Sequence, residues 1–102
     1  MAHLDLKQTD AVQELMETIQ SLQNVDECSA FFKDLCTMQE LIIFAQRLQV
    51  AKRLLNNETY EMIRSQLPVS STTITRVNTA LQYGAGGYRA VLNRQQAATD
   101  DK

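Results

Sequence analysis

Apolar residues recur along most of this chain at the spacing of helix faces. Val12, Leu15, Met16, Ile19 and Leu22 fall at i, i+3, i+4 and i+7, which predicts a first helix from Asp10 to Gln23, with Thr9 able to cap it. Asn24 then opens a second helix. Glu27 stands three residues on, the spacing of a capping box, and Cys28, Phe31, Phe32 and Leu35 supply the apolar face. Thr37 opens a third helix, again with a glutamate three residues later (Glu40), and this one runs to about Asn56.

The third helix is the most apolar. Leu41, Ile42, Ile43, Phe44, Ala45, Leu48, Val50, Ala51, Leu54 and Leu55 wrap most of the way round its first turns. A helix that is apolar on nearly all sides must be covered on nearly all sides. A chain of 102 residues offers few elements to do so, which favours two chains sharing one core over a central helix covered by its own chain.

Beyond Asn56-Asn57, a turn signal, the elements shorten. Thr59 caps a helix that should stop at Gln66, because Leu67 precedes Pro68 and is pushed to extended geometry. Ser70 or Ser71 caps the next helix, which continues through Ile74, Val77 and Leu81 to about Gln82. Gly84 is expected to end it in the left-handed conformation. Gly86-Gly87 forms a hinge. Tyr88, Val91 and Leu92 stripe a last helix to about Gln95, and residues 97 to 102 read as a disordered tail. The whole is one all-α domain of about six helices. A helix-turn-helix lies at about 59–82, and dimerisation helices lie at about 10–56 and 88–95.

Composition adds constraints. Hydrophobic residues at 44% and charged residues at 22% are ordinary for a soluble globular protein, while glycine and proline are scarce. The start, MAHLDLKQTD, lacks the basic and apolar runs of a signal peptide, and no stretch approaches the length of a membrane span. Cys28 and Cys36 lie eight apart without a second Cys or His pair, which is not a zinc spacing. A cytoplasmic protein with two reduced, core-packed thiols, no metal and no cofactor is expected.

Net charge is −2, but it is divided unevenly. Residues 1–46 hold two bases (Lys7, Lys33) and eight acids, giving −6. Residues 47–94 hold seven bases (Arg47, Lys52, Arg53, Arg64, Arg76, Arg89, Arg94) and two acids (Glu58, Glu61), giving +5, and the tail adds −1. The C-terminal half is therefore suited to an anionic partner. On a helical wheel Ile74, Val77 and Leu81 share the inner face of the second helix of the pair. Thr72, Arg76 and Thr79 lie opposite, with Thr75 beside them. Ser70, Ser71 and the first-turn N–H groups sit at the positive helix end, which attracts phosphate. Arg76 has the chemistry to reach a guanine edge or a phosphate, the threonines can meet phosphates or thymine methyls, and Arg64 is placed to meet the backbone. Two features depart from a generic helix-turn-helix. Pro68 holds the turn position where glycine is usual, and Arg64 stands where a small residue is common.

The run DLCTMQELIIFAQRLQVAKRLLNNETYEMIRSQLPVSSTTITRVNTALQYGAGGY, residues 34–88, resembles the Trp repressor family and, within it, the YerC/YecD-like branch. The resemblance rests on several motifs in order: LCT-x-x-EL at the start of the long helix, A-x-R-L-x-VA-x-x-L-L through it, T-I-T-R in the recognition helix, and Y-G-x-x-G-Y after it. It extends back through SLQNVDECSAFFKDL. It implies an intertwined homodimer that presents two helix-turn-helix units to double-stranded DNA. A basic residue at the position of Arg64 is also a family trait. The resemblance further aligns Arg47, Arg76, Thr37 and Thr73 with residues of the family's tryptophan pocket. At two pocket positions this chain differs: Val77 stands for a glycine, and Ala80 for the serine that helps hold the ligand's amino group. Thr73, Val77 and Ala80 share one flank of the recognition helix. The valine adds bulk there, and loss of a hydroxyl partner for a buried ammonium costs on the order of 1–3 kcal/mol. Tryptophan is therefore not expected to be the effector, and no other effector can be named.

Other classes have little to stand on. The one histidine, His3, lies near the N-terminus, and neither cysteine has a base near it in sequence. Glu14 and Glu17, or Glu58 and Glu61, read as solvated helix faces. Gly84-Ala-Gly-Gly follows a helix, not the strand a phosphate loop needs. Nothing resembles an aromatic platform for RNA. The reading is a DNA-binding transcriptional regulator, not an enzyme, and its rival is the same fold used to dock another protein.

Overall fold

The computed structural model describes residues 2–100. They form six α-helices and no strand: α1 (Ala2–Gln20), α2 (Val25–Leu35), α3 (Met38–Leu55), α4 (Tyr60–Gln66), α5 (Ser71–Tyr83) and α6 (Gly87–Asp100). The chain divides into two compact units, Met1–Met38 and Gln39–Lys102.

In the first unit α1 starts well before Asp10, so Thr9 lies inside the helix and not at its cap. The residues ahead of Thr9 are mostly strong helix formers, and nothing among them stops a helix. The helix ends at Gln20 instead of Gln23, where the Ser21 N–H and hydroxyl both donate to the Thr18 carbonyl at 3.1 and 2.6 Å. The start of α2 follows its capping signal. The Asn24 side chain accepts from the Glu27 N–H at 2.8 Å, and the Glu27 carboxylate accepts from the Gln23 N–H at 3.1 Å, one residue ahead of the usual partner. Leu15, Ile19, Leu22, Cys28, Phe31, Phe32 and Cys36 are half-buried, while Val12 and Met16 stay exposed. The two phenylalanine rings meet edge-to-face at 5.5 Å, and both thiols are free.

The second unit holds the core. Val50 and Ala51 of α3, Ile63 of α4, Ile74, Val77 and Leu81 of α5, and Leu92 of α6 are buried together. Leu54, Leu55, Leu67, Val69 and Tyr88 pack around them. Fully burying each large side chain contributes about 1.5–3 kcal/mol, so this cluster is what holds α4 and α5 in place. Thr59 and Ser70 cap those helices, accepting from the N–H groups of Met62 and Thr73, each at 3.2 Å.

Two expectations about the end of the chain are corrected. Gly84 closes α5, but with φ −84° it is not left-handed. Its glycine is required by close approach: a Cβ there would meet the Ala80 carbonyl oxygen at 2.5 Å, the same oxygen that accepts the Gly84 N–H. The left-handed residue is Gly86, at φ 84°. The last helix also passes Gln95 and reaches Asp100, so residues 97–100 are helical and not a loose tail; 101 and 102 lie outside the described residues. Ala97 and Ala98 are strong helix formers, and the bonds from Gln96 to Asp100 (3.1 Å) and from Thr99 to the Gln95 carbonyl (3.1 Å) support the added turn.

Candidate nucleic-acid interface

The turn between α4 and α5 is built around its proline. Leu67 is extended (φ −124°, ψ 142°), the geometry a following proline imposes. The Val69 N–H then donates to the Leu67 carbonyl at 2.8 Å, an i to i+2 bond that closes an inverse γ-turn over Pro68. Such a turn needs φ near −75° at its centre, which the pyrrolidine ring supplies, and needs no N–H there. A turn position usually given to glycine is thus filled by a different turn.

The faces of α5 divide as its wheel predicts. Ile74, Val77 and Leu81 are buried, while Ser71, Thr72, Thr75, Arg76 and Thr79 are exposed. Two of the hydroxyls are already engaged. Ser70 Oγ accepts the Thr73 N–H and lies 3.2 Å from Thr73 Oγ1, so it serves the cap. Thr79 Oγ1 donates back to the Thr75 carbonyl at 2.9 Å, which leaves it an acceptor only. Ser71, Thr72, Thr75 and Arg76 remain as outward donors beside the first-turn N–H groups at the positive end of the helix. Arg64 is exposed on α4, where its neighbour Ile63 is the residue that enters the core. Among the described residues neither Arg64 nor Arg76 has a hydrogen-bond or ion-pair partner.

Two other bases of this half, Arg53 and Arg89, are occupied. Arg53 Nη1 donates to Glu58 Oε1 at 3.2 Å and also to Gln66 Oε1. Arg89 Nε donates to the Leu81 carbonyl at 3.1 Å. Sequence reasoning counted both as charges open to an anion and missed these roles. Their partners stand 5, 13 and 8 residues away, on other elements or across turns, where no helical spacing points.

The residues aligned with a tryptophan pocket are dispersed in character. Arg47 is half-buried with its guanidinium 5.9 Å from the Phe44 ring centroid. Thr73 and Ala80 are half-buried, Val77 is fully buried in the core, and Arg76 is exposed. Thr37 is exposed and belongs to the first unit. The second unit has one groove of about 450 Å³ between the end of α3 (Lys52, Leu55, Asn56) and α6 (Leu92, Asn93, Gln96). Another, of about 190 Å³, lies between α3 (Ile42, Ala45, Gln49) and the turn Leu67–Pro68–Val69. Neither is lined by Arg47, Thr73, Arg76, Val77 or Ala80.

The sequence profile of the Trp repressor protein family matches residues 10–96. YerC, an uncharacterised protein of Bacillus subtilis, is 42% identical over 81 residues, which span 79% of this chain and 78% of YerC. Two solved structures share its fold. A candidate Trp repressor from Staphylococcus aureus superposes with a TM-score of 0.82 at 41% identity, over 85% of this chain and 87% of that one. A TrpR-like protein from Eubacterium eligens gives the same TM-score and identity, over 85% of this chain and 90% of that one.

Proposed function

The chain belongs to the Trp repressor family, a family of DNA-binding regulators, and from that premise we propose that it is a sequence-specific transcriptional repressor acting as a homodimer on double-stranded DNA in the cytoplasm. The observation that carries this reading is the outward face of α5. Thr72, Thr75 and Arg76 are exposed on a helix whose opposite face is fully buried, so the donors are presented on a rigid support. Arg64 on α4 and Arg76 on α5 supply cations without internal partners among the described residues. The homodimer is supported by apolar side chains left open on the single chain. Leu35 of α2 and Ile42, Phe44 and Leu48 of α3 are 42–50% exposed. Tryptophan is not its effector in this reading, because the Val77 side chain belongs to the core where the family's ligand would need room.

Fluorescence anisotropy with duplex fragments selected from genomic DNA, set against random duplex, tests the reading. The logarithm of affinity should fall linearly with the logarithm of salt concentration, by roughly 0.9 for each phosphate neutralised. Selected fragments should bind more tightly than random ones. Absence of binding to any duplex at low salt would favour the rival reading, in which the outer face of α5 docks another protein.

A further inference from the structure

We propose that Arg53 and Arg89 are positioning residues that grip the reading head at its two ends and make no contact with DNA; this rests on the DNA-binding reading above. The head has little to hold it. At seven residues α4 is far shorter than the length at which an isolated helix is stable, and Ile63 is its single buried residue. Arg53, in the last turn of α3, spans the length of α4. Its carbonyl accepts the Glu58 N–H at 3.1 Å and its guanidinium donates to the Glu58 carboxylate at 3.2 Å, so Glu58 is held at backbone and side chain just before α4 begins. The same Nη1 donates to Gln66, the last residue of α4, next to the turn over Pro68. The Arg53 and Glu58 side chains are 27% and 21% exposed, so water screens the pair only in part.

Arg89 acts at the far end. It reaches from α6 to the Leu81 carbonyl in the last turn of α5, where carbonyls lack helical partners and the helix dipole favours a cation. The start of α4 and the end of α5 are thus each fixed by a guanidinium. Of the seven bases in residues 47–94, Arg53 is neutralised by Glu58, while Arg89 keeps its charge but commits a donor to the end of α5.

The test separates positioning from contact by salt. Arg53→Met and Arg89→Met should each weaken binding to selected duplex by roughly tenfold or more, the scale of a lost charge-assisted bond. The dependence of log affinity on log salt should stay at the wild-type slope, and preference for selected over random duplex should shrink. Arg76→Met, by contrast, should lower the slope by about one per chain. Gln66→Met serves as the milder variant: Gln66 is exposed, and its replacement leaves the Arg53–Glu58 pair and every cation in place. It should weaken selected binding in the same direction at unchanged slope. A slope reduced by Arg53→Met or Arg89→Met, or full affinity and full preference in all three variants, overturns the inference. If the wild-type chain binds no duplex, the DNA-binding reading has failed, a different result from wild-type binding that the three variants leave untouched.

Discussion

Val77 carries the most information of any single residue in this chain. It stands on α5 between Ile74 and Leu81 and is fully buried; the resemblance to the family implies that it takes a position held by glycine in the tryptophan pocket. A buried valine supports the recognition helix through its own packing, with no ligand needed to fill the space. Val77→Ala should therefore destabilise the fold by about 2 kcal/mol, read by denaturant unfolding at fixed protein concentration. Isothermal calorimetry should find no stoichiometric micromolar binding of tryptophan to the wild-type chain; such binding would remove the proposal that Val77 closes the pocket. Other residues were legible to different degrees. Asn24, Thr59 and Ser70 cap helices as their sequence spacing predicts, because a cap depends on neighbours three residues away. Gly84 was misread. A glycine after a helix is commonly left-handed, but here the demand is room against the Ala80 carbonyl, which only the folded backbone reveals. Arg53 and Arg89 could not be read at all, since their partners come together through tertiary structure.

Among the elements, the α4–turn–α5 unit was the most legible, because proline and the cap residues mark its boundaries to within a residue. Other helix ends were less so: α1 begins well before the cap expected at Thr9, and α6, which has no stop signal, ends later than its apolar stripe. In both places the extra residues carry no apolar stripe in the sequence, so no periodic signal announces them. The start of α5 also joins stability to the proposed DNA contact. Ser70 Oγ satisfies the Thr73 N–H and leaves the preceding first-turn donors pointing outward. Ser70→Ala should cost about 1 kcal/mol of unfolding free energy, measured in denaturant. It should weaken DNA binding less than Arg76→Met, because a cap hydroxyl engaged inward offers the phosphate little. An anisotropy titration showing the reverse order would place Ser70 itself at the DNA.

At the scale of the whole molecule, the question is what covers α3. Its first half was read from sequence as apolar on nearly every side, and on the single chain Met38, Ile42, Phe44 and Leu48 are 42–60% exposed. Val12 and Met16 of α1 and Leu35 of α2 are similarly open. Exposed apolar residues scattered singly are ordinary, but four within eleven residues of one helix are a surface that water disfavours. A second copy of the chain is the occupant the family implies. Sedimentation equilibrium should return twice the 11.6 kDa chain mass at micromolar concentration. Ile42→Glu and Phe44→Glu, at positions exposed on the single chain and outside its buried core, should shift that equilibrium toward the monomer. The same variants bear on DNA binding, since a symmetric dimer reads two half-sites about one helical turn apart, near 34–36 Å. A chain driven to the monomer keeps one reading head with α5 intact, so it should bind a single half-site weakly and gain nothing from the second. Unchanged mass in both variants would move the dimer contact away from the first half of α3, and full-strength binding by a proven monomer would remove the dimer from the mechanism.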